Sequence, residues 1–122
     1  MLELTTWDEV ETVIKKSRIV LVAIYDSGNP MGRYISSLID DISYYIEPAI
    51  LVIKIDARTS TIPEKIGSVP KLQLYYNGLR IWEQIGFFYN PVSDKYAIRR
   101  GILYALRSRG LSPRNLGISL GF

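Results

Sequence analysis

With 122 residues, just under half of them hydrophobic and none of them cysteine or histidine, the chain has the length and composition of one globular domain. The missing cysteines exclude disulfides, a thiolate nucleophile and a cysteine metal site; the missing histidines remove the commonest general base and the commonest nitrogen ligand for metals. The net charge of +3 is unevenly placed, with a balance of −2 over residues 1–90 and +5 over residues 91–122.

Leu2–Leu4 reads as a short strand. Thr6-Trp7-Asp8-Glu9 fits a capping box, in which the Thr hydroxyl and the Glu carboxylate each bond an end amide. Trp7, Val10, Val13 and Ile14 then recur at helical spacing. Arg18–Tyr25 is a continuous β-branched run and reads as a strand buried on both faces. Asp26-Ser27-Gly28-Asn29 is a turn, and Pro30 opens a helix whose core stripe is Ile35, Leu38, Ile39, Ile42 and Ile46, with Pro48 marking its end. Ala49–Ile55 is a second buried strand, closed by Asp56, and Arg58–Gly67 is a polar connection with room for a helical turn or two.

Pro70–Tyr76 and Leu79–Phe87 read as two strands joined by Asn77-Gly78, a pair that tolerates the positive φ of a tight hairpin. Leu72, Leu74 and Tyr76 alternate with Gln73 and Tyr75, as in a half-buried strand. Pro91 and Ser93 introduce a last helix to about Ser108, and a tail follows from Gly110 to Phe122. The resulting order, β-α-β-α-β-(α)-β-β-α, predicts an α/β domain with a mixed sheet and helices on both faces.

The acids are scattered. Their tightest cluster, Asp8, Glu9 and Glu11, opens a predicted helix, where negative charge is favoured by the helix dipole alone. No activated nucleophile–base pair and no metal set is visible, so neither catalysis nor a cofactor is expected. The longest apolar run, Ile19 to Tyr25, is too short for a bilayer. No leader of the secretory kind opens the sequence, so a cytoplasmic location without membrane contact is the expectation. Seventeen isoleucines with few Asn and Gln hint at a heat-adapted source.

These features in this order resemble the thioredoxin family from about Leu2 to Ile102. Ile19–Tyr25 looks like the strand leading into that family's active site. Gly28-Asn29-Pro30-Met31 falls where its Cys-Gly-Pro-Cys motif should lie, with Pro30 on the motif proline. Ser68-Val69-Pro70 looks like its cis-proline loop, Asn77-Gly78 its hairpin turn, and Gly86 the glycine ending the next strand. The resemblance implies a thioredoxin fold of about five strands over residues 1–108, with 109–122 as a tail packed on the domain or on a second subunit.

The departures are as informative. Gly28 and Met31 replace both cysteines, Ser27 replaces the preceding tryptophan, and Val22 stands where the family buries an acid. The linker from Asp56 to Pro70 is short for the family, which implies a reduced third helix. Thiol–disulfide exchange needs a thiolate, and none can form here. Other members of the superfamily use Ser or Tyr near the first helix; Ser27 and Tyr25 are in that neighbourhood, with nothing in the sequence to activate either.

By resemblance, three loops should form a groove for an extended polypeptide: Gly28, Asn29, Pro30 and Met31; Val69 and Pro70; and Gly86 with Phe87. A cis bond at Val69–Pro70 is part of that expectation. Phe87, Phe88 and Tyr89 add an aromatic run of the kind found at binding hot spots. The expected function is a redox-inactive thioredoxin-fold module that binds another protein or peptide, or serves as a structural component.

The alternative rests on the basic end. On the last helix Ile98, Ile102, Ala105 and Leu106 share the core side, while Arg99, Arg100 and Arg107 share the other with Tyr96 and Leu103. Arginine and tyrosine together can meet phosphates and stack on bases. That pattern, and a slight likeness to the small spliceosomal thioredoxin-fold proteins, points to a nucleic-acid or ribonucleoprotein component. In the tail, Ile118, Leu120 and Phe122 alternate as a short strand would, to be buried on the parent domain or on a second copy in a homodimer.

Overall fold

The computed structural model describes residues 1–118 and 122. The strands are β1 (Leu2–Leu4), β2 (Ile19–Tyr25), β3 (Leu51–Asp56), β4 (Lys71–Tyr76) and β5 (Leu79–Gln84). The helices are α1 (Trp7–Lys16), α2 (Pro30–Ile46), α3 (Pro91–Arg107) and α4 (Pro113–Leu116), and a 3-10 turn spans Glu64–Ile66. The sheet order is β1-β3-β2-β4-β5. β1, β3 and β2 run parallel, β4 returns antiparallel to β2, and β5 is antiparallel to β4.

One device starts three of the helices. A polar cap precedes a proline: Asn29-Pro30, Asn90-Pro91 and Ser112-Pro113. The cap oxygen accepts from the amide of Gly32 (2.7 Å), Ser93 (3.0 Å) or Asn115 (3.2 Å), and the proline occupies a position whose amide would have had no partner. At α1 the capping box forms in part. Thr6 Oγ1 accepts from the Glu9 amide at 3.2 Å, but the Glu9 carboxylate accepts a hydrogen bond from the Thr6 hydroxyl at 3.0 Å rather than from the cap amide.

The sheet separates two apolar layers. On one face, Leu21, Ala23, Leu72 and Leu74 meet the predicted stripe of α2 and, from α3, Ile98, Ile102, Ala105 and Leu106. On the other, Val20, Val22, Ile24, Ile53 and Ile55 meet Trp7, Val10 and Ile14 of α1 and Ile66 of the 3-10 turn. Helices thus cover both faces, and the third helix is reduced to that single turn. Lys54 is buried on the α2 face, where its ammonium meets Asp40 at 2.8 Å and Glu3 at 3.7 Å. Burial of a charge is tolerable only with such partners.

Two expectations are corrected. β5 ends at Gln84 and not at Phe87, because the following residues turn away to bond a carboxylate on α3. β4 is not half-buried: Lys71 to Leu74 are buried on both sides. The pairing of β4 with β5 slips between Leu74 and Tyr75, so Ile81 and Trp82, adjacent in sequence, both pack on the α2/α3 layer. In the tail, Pro113–Leu116 is helical, and the alternation expected at Ile118, Leu120 and Phe122 falls on a stretch whose residues 119–121 lie outside the described residues. Leu111, Leu116, Ile118 and Phe122 pack against the α2/α3 layer of their own chain, and the Phe122 ring lies 6.0 Å from that of Tyr45.

Asn77 (φ 49°) and Gly78 (φ 83°) make the predicted hairpin turn. Gly101 answers a different need. A Cβ there would fall 2.4–2.5 Å from the Trp82 indole, so the bare helix backbone is what admits the ring. Among the described residues no helix is long and apolar enough to cross a membrane.

Candidate functional site

Strand register gathers the three expected loops. Ile24 of β2 pairs with Lys71 of β4, and Leu72 of β4 pairs with Gln84 of β5. Continued past those pairs, Asp26-Ser27, Val69-Pro70 and Ile85-Gly86 all leave the sheet at the same end. The Val69–Pro70 bond is cis. The Glu47–Pro48 bond is cis as well, which the sequence reading did not anticipate.

The first loop is built from carboxylates and glycines. Asp26 Oδ1 accepts from the Gly28 amide at 2.7 Å, and Asp56 Oδ1 accepts from the amides of Ser27 (3.1 Å) and Arg58 (3.0 Å). The Arg33 guanidinium closes the turn by donating to the Ser27 carbonyl at 2.9 Å. α2 starts so close to this turn that a Cβ on Gly32 would lie 1.9 Å from the Asp26 carbonyl oxygen; only glycine fits. Burial pushes the Asp56 carboxyl up, but the hydrogen bonds from Ser27 and Arg58, with the Arg58 charge, outweigh it and hold the group below the usual range.

The third loop is held by a residue that the sequence reading counted only as charge. Asp94 on α3 is fully buried. Its Oδ1 accepts from the Phe88 amide at 2.8 Å, and its Oδ2 accepts from the Tyr34 hydroxyl at 2.7 Å and the Asn90 amide at 3.2 Å. Tyr34 lies one turn into α2 from Met31, and its ring stacks on that of Tyr89 at 4.8 Å. Burial, then the bond to Asp94 and its charge, raise the Tyr34 hydroxyl well above the usual tyrosine range. The loop is thereby fixed against the start of α2.

The expected groove residues are not equally available. Gly28 and Pro30 are exposed; Asn29, Met31, Val69, Pro70 and Phe87 are half-buried. Met31 and Phe87 pack against the α2/α3 layer, and Val69 against the α1 layer. The aromatic surface falls instead to Phe88, 70% exposed, with Tyr89 beside it. Sequence reading missed Tyr34 and Asp94. The available signal was that Asp94 is the only acid in residues 91–122 and follows a predicted helix start.

The basic face is real as a surface. Tyr96, Arg100 and Arg107 are exposed on α3, and Arg99 and Leu103 are half-buried. The guanidinium carbons of Arg99 and Arg100 lie 5.3 and 5.7 Å from the Tyr96 ring centre, and Arg100 also donates to the Tyr96 hydroxyl at 3.1 Å. Tyr104 on the same helix is 79% exposed. Among the described residues no three carboxylates converge as they would around a metal ion.

No family model and no curated protein matches the chain. Solved structures do. A thioredoxin of Plasmodium falciparum is 22% identical, covers 86% of this chain and 98% of its own, and superposes with a TM-score of 0.66. The Fasciola hepatica thioredoxin is 18% identical (83% and 99% covered, TM-score 0.66). A thioredoxin of Halobacterium salinarum is 19% identical (82% and 88% covered, TM-score 0.63). At such identities the likeness establishes the fold: this is a thioredoxin fold without a cysteine in it.

Proposed function

We propose that this thioredoxin fold is a redox-inactive, non-enzymatic module that holds an extended segment of another protein across its three-loop end. The observation that carries the reading is the fixed aromatic loop. Asp94 ties the Phe88 and Asn90 amides and the Tyr34 hydroxyl together, so Phe88 is displayed beside the start of α2 on a backbone that is already ordered. A binding surface fixed beforehand loses less entropy on association. Met31 adds an adaptable thioether where the fold's redox members carry a cysteine.

A second reading is favoured by the Tyr96 cluster. Its arginines and the exposed Tyr104 suit phosphates and bases, or an acidic protein surface. The test is capture of partners from native lysate, with and without nuclease, by wild type, Met31→Asp/Phe87→Asp, Phe88→Asp and Arg99→Glu/Arg100→Glu. A protein retained after nuclease and lost with the loop variants supports the groove. Phe88→Asp is the cleaner of these, since its side chain is exposed. Capture abolished by nuclease, or only by the arginine variant, moves the function to the basic face.

A further inference from the structure

A cleft of about 580 Å³ opens on the α1 side of the sheet, on the face opposite α2 and α3. Its size is that of small-molecule sites, about 300–1,000 Å³. The floor is polar: Lys71, Gln73 and Tyr75 of β4 with Glu83 of β5. Trp7, Ile14 and Ile66 give it an apolar wall. β2, next to β4, is apolar throughout, yet β4 buries Lys71 and Gln73 to 5% and 2% exposure. Burying such groups is costly unless they are bonded.

Their bonds form a chain that leaves donors over. The Tyr75 hydroxyl donates to Gln73 Oε1 at 2.8 Å, and Gln73 Nε2 donates to Glu83 Oε2 at 2.7 Å, leaving its second N–H. The Lys71 ammonium donates to the Ile66 carbonyl; its nearest Glu83 oxygen is 3.9 Å away, beyond hydrogen-bond reach. Glu83 is further engaged by Arg80 at 3.4 Å. At the rim Lys15 and Lys65 make no ion pair among the described residues. Four cations thus face two carboxylates, Glu11 and Glu83, and the surplus charge and the surplus donors have the same sign.

We propose that this cleft binds a small organic anion. Its phosphate or carboxylate group lies over Lys71 and Gln73 Nε2 within reach of Lys15 and Lys65, and its apolar part lies against Trp7 and Ile66. The cleft shares no lining residue with the three-loop end, although Lys71 directly follows Pro70, and the proposal does not depend on the reading of that end. Phenyl phosphate and benzoate are suitable probes, because they share an apolar ring and differ in the head group.

The test is a titration of the full chain with each probe, followed by amide NMR at physiological ionic strength. The expected result is saturable shifts at residues 65–67 and 71–75 with a Kd below about 5 mM for at least one probe. Response to phenyl phosphate alone assigns a phosphate ester, and response to benzoate alone assigns a carboxylate. Lys71→Met should abolish the shifts. Since Lys71 also supports the 3-10 turn, the exposed double variant Lys15→Gln/Lys65→Gln decides independently and should weaken binding about fivefold, while Glu11→Gln should tighten it about twofold. The proposal is overturned if neither probe gives a saturable shift up to about 20 mM. Shifts centred on the α3 arginines, or an affinity unchanged in Lys15→Gln/Lys65→Gln, also overturn it.

Discussion

Replacing Asp94 by alanine removes one buried carboxylate and three hydrogen bonds at once, at 2.7, 2.8 and 3.2 Å. Each bond to a buried charged acceptor is worth about 1.5–3 kcal/mol, but the Phe88 and Asn90 amides lie in a surface loop and regain water when released. About 1 kcal/mol per bond is the reasonable figure, hence about 3 kcal/mol in all and a Tm lower by about 10 °C for a domain of this size. Asp94→Asn should cost less, about 2 kcal/mol, since the carboxamide oxygen keeps the Phe88 bond while its NH2 faces the Asn90 amide. Chemical denaturation gives the energies, and hydrogen exchange gives the location. Protection should fall at Phe88 and Asn90 far more than in the β2–β3 ladder. A cycle with Tyr34→Phe should be non-additive by about 1 kcal/mol. If Asp94→Ala destabilises by less than about 0.5 kcal/mol, or leaves exchange in that loop unchanged, the loop is not held as described.

Gly101→Ala should destabilise by about 1–2 kcal/mol and shift tryptophan fluorescence, because crowding the Trp82 indole outweighs the gain of about 1 kcal/mol in helix propensity; a stabilised variant would contradict this. Gly32→Ala, whose Cβ would meet the Asp26 carbonyl, should cost about 3 kcal/mol or more in a denaturant titration. The hydroxyl of Tyr34 is raised above its ordinary value of 10.0 in the folded state, so its contribution is complete below pH 10.0 and declines as pH rises beyond it. Burial raises Tyr75 in the same direction, so the informative quantity is the difference between proteins: Tyr34→Phe should lose stability less steeply than wild type above that pH.

The sequence carried much of the architecture because its signals are local. The α2 stripe from Ile35 to Ile46, the Asn77-Gly78 turn and the prolines at 30 and 91 each act within a few residues, and each stands where it was expected. What escaped was long-range. Asp94 and Tyr34 are 60 residues apart, and nothing in either neighbourhood announces their bond. That bond network also ends β5 early, since Phe88 and Asn90 bond to α3 rather than along a ladder. Gln73 alternates in sequence as a solvent-facing residue should, yet the α1 side of the sheet buries it beside Glu83. Alternation reports which side a residue faces; what covers that side is decided by elements elsewhere in the chain.

On the proposed function, the three-loop end holds an extended peptide. The most direct measurement is selection of peptides from a random library on the whole chain. The affinity of an enriched peptide is then measured for wild type, Phe88→Asp and Arg99→Glu/Arg100→Glu at about 50 and about 200 mM salt. A loss of about tenfold or more with Phe88→Asp, little change with the arginine variant and a shallow salt dependence are expected. Peptides that bind Phe88→Asp as well as wild type, or that depend steeply on salt and on the α3 arginines, would contradict the proposed function.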